Sequence, residues 1–147
     1  MEAHSSAALA VPAEACRVAS VRAWASTRMD TWAIGVDVKD AALLVIAELA
    51  ANAVRHGRSE LSVLLSLDRA VLRIEVADSG APRSPAVPQF ELDEDEHGWG
   101  LGIVETLSDE VRTDRGEAGW RIRAWLRLDD CPTARRSRTR AHPQLRL

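Results

Sequence analysis

Apolar positions change their period along this chain, and each change marks an element. From Pro12 to Met29 the segment PAEACRVASVRAWASTRM places Val18, Val21, Trp24 and Ala25 on one stripe of a helix. Pro12 suits its first turn. Gly35 breaks the pattern, and Asp37 is placed to cap a second helix that runs to about His56 and is closed by Gly57. The segment AALLVIAELAANAV within it is apolar almost all round, which predicts burial between other elements. The period then shortens to two. Leu61, Val63, Leu65 and Leu67 alternate with Ser62, Leu64 and Ser66, and Leu72, Ile74 and Val76 alternate with Arg73 and Glu75. These are two strands joined by a tight turn at Asp68–Ala70. Residues 79–97 have no period, three of the six prolines and an acidic run, and a loop of that length inside a domain is usually functional. A short helix is predicted from about Gly100 to Leu107. The last strand, GWRIRAWLRL, turns Trp120, Ile122, Ala124 and Leu126 to one face and Arg121, Arg123 and Arg127 to the other.

The order helix, helix, strand, strand, loop, helix, strand predicts an α+β fold, with one sheet and the helices on one of its faces. A doubly wound parallel sheet would need strict alternation of strand and helix. Residues 1–11 are small and polar and are expected to be a flexible N-terminus. Residues 12–128 form the domain, and 129–147 form a disordered basic tail that carries Arg135, Arg136, Arg138, Arg140 and Arg146 and no acid beyond Asp130.

Composition narrows the class. The 147 residues, 46% hydrophobic and 28% charged, describe one globular domain. A net charge of −3 supplies no global positive field for nucleic acid or an anionic membrane, so neither is expected as a direct partner. Two distant cysteines, Cys16 and Cys131, make neither a disulfide framework nor a zinc site. The first residues lack the basic start and apolar stretch of a secretory signal, and no segment is long enough to span a bilayer, so a cytoplasmic location is expected.

Three clusters carry candidate chemistry. Glu48, Asn52 and His56 follow one another at steps of four and share one face of the buried helix. A buried carboxylate and amide are costly unless each finds partners. A stripe bordering a ligand cavity would supply them, with Asn52 offering its oxygen to a metal and Glu48 orienting or deprotonating a hydroxyl. A polar seam satisfied by neighbouring loops is the alternative. Asp78-Ser79-Gly80 closes an apolar strand, where the carboxylate can accept from an exocyclic amine such as that of adenine or simply build an Asx-type turn. Gly98, Gly100 and Gly102, with Leu101 between the last two, precede a helical pattern. Glycines there let the backbone approach a phosphate at a helix N-terminus. The cluster is neither a Rossmann fingerprint, because it follows a loop, nor a Walker A, because no lysine and hydroxyl pair closes it.

In that order the three clusters resemble the boxes of the histidine-kinase-like ATPase (GHKL) superfamily. ELAANAVRHG is similar to its N box, DSG to its first glycine box and GWGLGIV to its second. The resemblance covers residues 12–128, and the leading helix with Trp24, the single-domain length and the short lid resemble the anti-sigma factor serine/threonine kinases in particular. It implies the Bergerat-type two-layer α/β sandwich, with a mixed, mainly antiparallel sheet, ATP and Mg2+ as cofactors, and a lid over residues 81–97. Asn52 then matches the magnesium-binding asparagine, Glu48 the general base, Asp78 the adenine-recognising aspartate and Gly80 its supporting glycine. Gly98, Gly100, Leu101 and Gly102 match the segment that closes over the phosphates, and His56 the histidine that often ends the N box. The implied function is phosphorylation of an anti-sigma antagonist by a kinase that also binds a sigma factor, with a homodimer as the implied assembly. Two departures stand out. Ala81-Pro82 replaces the usual second glycine of the first box, and Trp99 stands where arginine is common. Both favour the alternative of a non-catalytic, ATP-dependent interaction switch.

Overall fold

The computed structural model describes residues 4–55, 58–82, 94–116 and 119–128. Its elements are β1 (His4–Pro12), α1 (Val18–Thr31), α2 (Val36–Arg55), β2 (Arg58–Asp68), β3 (Val71–Pro82), α3 (Glu94–Leu107), β4 (Glu110–Gly116) and β5 (Gly119–Arg127). The strands form one open sheet in the order β1-β2-β3-β5-β4, and every neighbouring pair is antiparallel. The expected two-layer α+β arrangement is therefore present, with a wholly antiparallel sheet among the described residues.

Strand alternation decides which face is covered. Leu61, Val63 and Leu65 of β2, Leu72, Ile74 and Val76 of β3, and Ile122, Ala124 and Leu126 of β5 are buried together against Val45, Ile46 and Leu49 of α2. Apart from Ala124, each such side chain contributes about 1.5–3 kcal/mol by leaving water. α2 lies across β2, β3 and β5, with α1 and α3 packed against it. That is why α2 is apolar around most of its circumference. α1 adds Val21, Ala25 and Met29 at steps of four, all buried. It ends in a Schellman-type cap: Ile34 N–H donates to Met29 O at 3.0 Å and Ala33 N–H to Asp30 O at 3.0 Å. Ala33 takes the left-handed position usually given to glycine, with φ 56°.

The helix-free face carries alternating charges. Glu75 pairs with Arg121 at 3.1 Å and Arg73 at 3.6 Å, Arg123 pairs with Asp114, and Arg112 and Arg123 both lie over the Trp125 ring.

Four expectations need correction. Residues 4–11 are not a loose end but most of edge strand β1, in register with β2 from His4↔Asp68 to Pro12↔Glu60. Pro12 ends that strand instead of opening a helix, and α1 starts only at Val18, after a 3-10 turn at Ala15–Arg17. A second edge strand, β4, was not expected, because EVRTDRG is short and mostly exposed. Finally, α3 starts at Glu94, so Gly98, Gly100 and Gly102 lie within it and not ahead of it. The residue types at 94–96, Glu-Asp-Glu, suit a helix's first turn. His56, Gly57, most of the expected lid and the basic tail 129–147 lie outside the described residues.

Candidate functional site

Among the described residues two polar side chains are classed as buried, Asn52 at 7% exposure and Asp78 at 2%. They come from two of the three boxes that sequence reasoning singled out. Asn52 sits in the last turns of α2, among Leu49, Ala50 and Ala53, all buried. Glu48, one turn earlier on the same face, is half-buried.

Asp78 lies in β3 opposite Leu61 of β2, and its side chain shares the helix-covered face with Ile74 and Val76. The strand continues to Pro82, so Asp78 is not at the strand end that its sequence suggested. What ends there is the partnership with β5, whose register closes at Ala77↔Arg121. Beyond that pair Asp78 meets β5 through its side chain: Trp120 N–H donates to Asp78 Oδ1 at 2.5 Å. Asp78 Oδ2 is also sealed from solvent.

Gly119 makes this contact possible. A Cβ at Gly119 would stand 2.1 Å from the Asp78 carbonyl oxygen and 2.9 Å from Oδ1, and its φ of 135° is a conformation that side-chain-bearing residues rarely adopt. Two backbones thus meet at a carboxylate, an arrangement that fixes the direction in which Asp78 points. Sequence reasoning missed Gly119 and the Trp120 N–H. The available signal was a glycine at the first position of a strand, which often marks close backbone approach.

The second glycine box is placed differently from its sequence expectation. A helix starting at Glu94 uses the N–H groups from residue 98 onward in its own i→i−4 bonds, so these groups face along the helix and not toward a ligand. Leu101 is half-buried against the core. Gly102 is exposed, and among the described residues nothing beyond its own turn of helix comes within 4 Å of where a Cβ would stand. Packing therefore gives no reason for glycine at 102. Gly80 lies in β3, two residues past Asp78.

A cavity of about 490 Å³ opens elsewhere, on the helix-free face, bordered by Ala8, Ala10, Ser62, Leu64, Ala77 and Arg121. By strand alternation these side chains point away from Asp78, so the cavity is separate from this site. No cluster of three or more His, Cys, Asp or Glu that could hold a metal occurs among the described residues. No described helix is long and apolar enough to cross a membrane.

Comparison with known proteins agrees with the architecture. The family model described as a histidine kinase-like ATPase domain matches residues 11–126. Among solved structures, the chain is similar to the crystal structure of the RsbU and RsbW domains of Rv1364c from Mycobacterium tuberculosis. The TM-score is 0.66 at 21% identity, over 84% of this chain and 32% of that one. This chain thus spans about a third of the length of that relative, and the likeness is one of fold. No curated protein matches. An open antiparallel sheet backed by helices, with an asparagine and an aspartate buried between the layers, defines an α/β sandwich built around a polar site. The chain belongs to the histidine kinase-like ATPase domain family.

Proposed function

We propose that this chain is an ATP-binding regulatory protein that works as a serine/threonine kinase of the anti-sigma factor type. One observation carries the reading: the two polar side chains classed as buried among the described residues, Asn52 and Asp78, stand at the positions of the N box and the first glycine box. A core otherwise built of aliphatic side chains gains no stability from an amide and a carboxylate, and each costs a few kcal/mol unless paired. A ligand that needs both accounts for their presence.

The residues fit Mg-ATP. Asp78, held by the Trp120 N–H and the Gly119 backbone, accepts from the exocyclic amine of adenine. Asn52 offers a hard amide oxygen suited to Mg2+, whose remaining positions would be filled by phosphate oxygens and water. When bound, Mg2+ neutralises charge on the phosphates. Glu48, half-buried one turn from Asn52, orients the acceptor hydroxyl and takes its proton. Gly98, Gly100, Leu101 and Gly102 provide backbone N–H groups to the phosphates once the first turns of α3 open. The acceptor is a serine or threonine hydroxyl of an antagonist protein, and a sigma factor is the second partner. Resemblance of the three boxes to those of anti-sigma factor kinases supports this choice, as does the fold likeness to the RsbU and RsbW domains of Rv1364c. A homodimer and a cytoplasmic location belong to the same reading.

Calorimetric titration with ATP and Mg2+ tests it. Saturable binding is expected, weakened at least about tenfold in both Asn52→Ala and Asp78→Asn. Absence of binding by the unmodified chain would sink the nucleotide reading.

A second reading, a non-catalytic switch, is favoured by α3 running unbroken through its glycine segment. Opening that helix on nucleotide binding would itself remodel a surface, with no transfer required. Glu48→Ala separates the two. A variant that keeps ATP binding and loses regulation in cells points to the kinase, and one that keeps both points to the switch.

A further inference from the structure

The aromatic side chain beside Asp78 has no role in the function proposed so far. The β3–β5 register ends at Ala77↔Arg121, and at the next residue on each strand the backbone N–H of Trp120 donates to Asp78 Oδ1, which sets the start of the Trp120 side chain beside the carboxylate. Trp120 alternates with Ile122, Ala124 and Leu126, which are buried under the helices, so its side chain rises on the same face as the carboxylate. It is half-buried. From the next strand, Arg115 pairs with it in register and lies 4.8 Å from the ring centroid. A row of Asp78, Trp120 and Arg115 therefore crosses three strands at one end of the sheet.

Just past the end of a ladder, side chains on one face of adjacent strands remain within reach of a group as large as an aromatic ring. A planar base hydrogen-bonded to Asp78 through its amine consequently stands within contact of the indole beside it. Tryptophan offers a broad apolar face, and a cation over a ring steadies its orientation. We propose that Trp120 is the base-stacking residue of this site, lying against the adenine that Asp78 selects and held in place by Arg115. The proposal rests on the nucleotide reading above and extends it: the site takes a purine by stacking as well as by hydrogen bonding, so the base contributes a large share of the affinity.

Photolabelling of the unmodified chain with 8-azidoadenosine triphosphate tests the contact without altering the fold. ATP-protected label is expected in the tryptic peptide Gly116–Arg121, on Trp120. ATP-protected label confined to other peptides would overturn the proposal and leave the nucleotide reading standing. No ATP-protected label anywhere, with no calorimetric binding, would overturn both. Affinities of Trp120→Leu and Trp120→Phe supply the second measurement, with tripolyphosphate as a base-free ligand. Trp120→Leu should bind ATP about tenfold more weakly and tripolyphosphate unchanged, whereas Trp120→Phe should stay within about threefold of the parent. Unchanged or tighter ATP binding by Trp120→Leu would show that the ring does not stack on the base.

Discussion

Replacing Gly102 by alanine should move stability and ATP affinity in opposite directions. Gly102 is an exposed position inside α3, and no described residue beyond its own turn of helix comes within 4 Å of the added Cβ. No clash opposes the methyl group, and alanine in a helix interior is favoured over glycine by about 1 kcal/mol. Most of that gain comes from the smaller entropy of the unfolded chain. In a domain of this size it should raise Tm by about 4 °C. If ATP binding requires the segment from Gly98 to Gly102 to leave the helix, the same 1 kcal/mol opposes binding. The affinity then falls by at least about fivefold, before any loss from crowding the phosphates. Thermal or urea unfolding of the free protein and calorimetry with Mg-ATP read the two quantities separately. A variant that is more stable and binds ATP as before would refute the idea that α3 opens on binding. A variant that is less stable would refute the placement of Gly102 inside a helix.

The remaining predictions concern the frame around the site. Gly119→Ala should cost at least about 2 kcal/mol in urea unfolding, because its Cβ would fall 2.1 Å from the Asp78 carbonyl and its φ is unfavourable for alanine. ATP affinity should drop with it, as Asp78 loses its fixed direction. Removing residues 1–11 should destabilise the domain by roughly 2 kcal/mol or more, since Leu9 and Val11 of β1 pack against the core. A truncated protein with unchanged unfolding would show that β1 contributes nothing. Ala33→Gly should stabilise by about 1 kcal/mol, measured by thermal unfolding, because Ala33 occupies the left-handed C-terminal cap position of α1.

How much of this was legible in the sequence follows from the range of the interactions involved. α2 spans Val36–Arg55 where the apolar run and Asp37 suggested 37–56, because its burial is written into its own composition. β2 and β3 were legible for the same reason: Leu61 to Leu67 and Leu72 to Val76 alternate strictly, and the two-residue link at Arg69 and Ala70 leaves little choice of partner. β1 and β4 were not legible. In HSSAALAVP the inward positions are Ser5, Ala7, Leu9 and Val11, so alternation is mostly serine and alanine against serine and alanine. Its strand state comes from pairing with distant residues, from Pro12↔Glu60 to His4↔Asp68. β4, with Arg112, Asp114 and Arg115 among seven residues, looks like a charged loop, and charge is what an edge strand needs to resist pairing with other chains.

The site divides along the same line. Asp78 and Asn52 stood out as candidates because each interrupts an apolar pattern, and both are buried in the structure. Gly119 and Trp120 were not found, since their importance depends on lying beside a carboxylate 42 positions earlier. A glycine opening the strand GWRIRAWLRL hints at close backbone approach, but not at which backbone comes close. The glycines at 98, 100 and 102 are the harder case. Sequence reasoning takes them as backbone kept free for a phosphate, yet they lie within a helix. The two statements are compatible if the helix is a resting form. Glycine weakens a helix by about 1 kcal/mol at each position, so three in five residues keep α3's first turns only a few kcal/mol from opening. A ligand whose phosphates accept from those N–H groups can supply that energy, and a chain with alanine at the same positions would hold the helix shut.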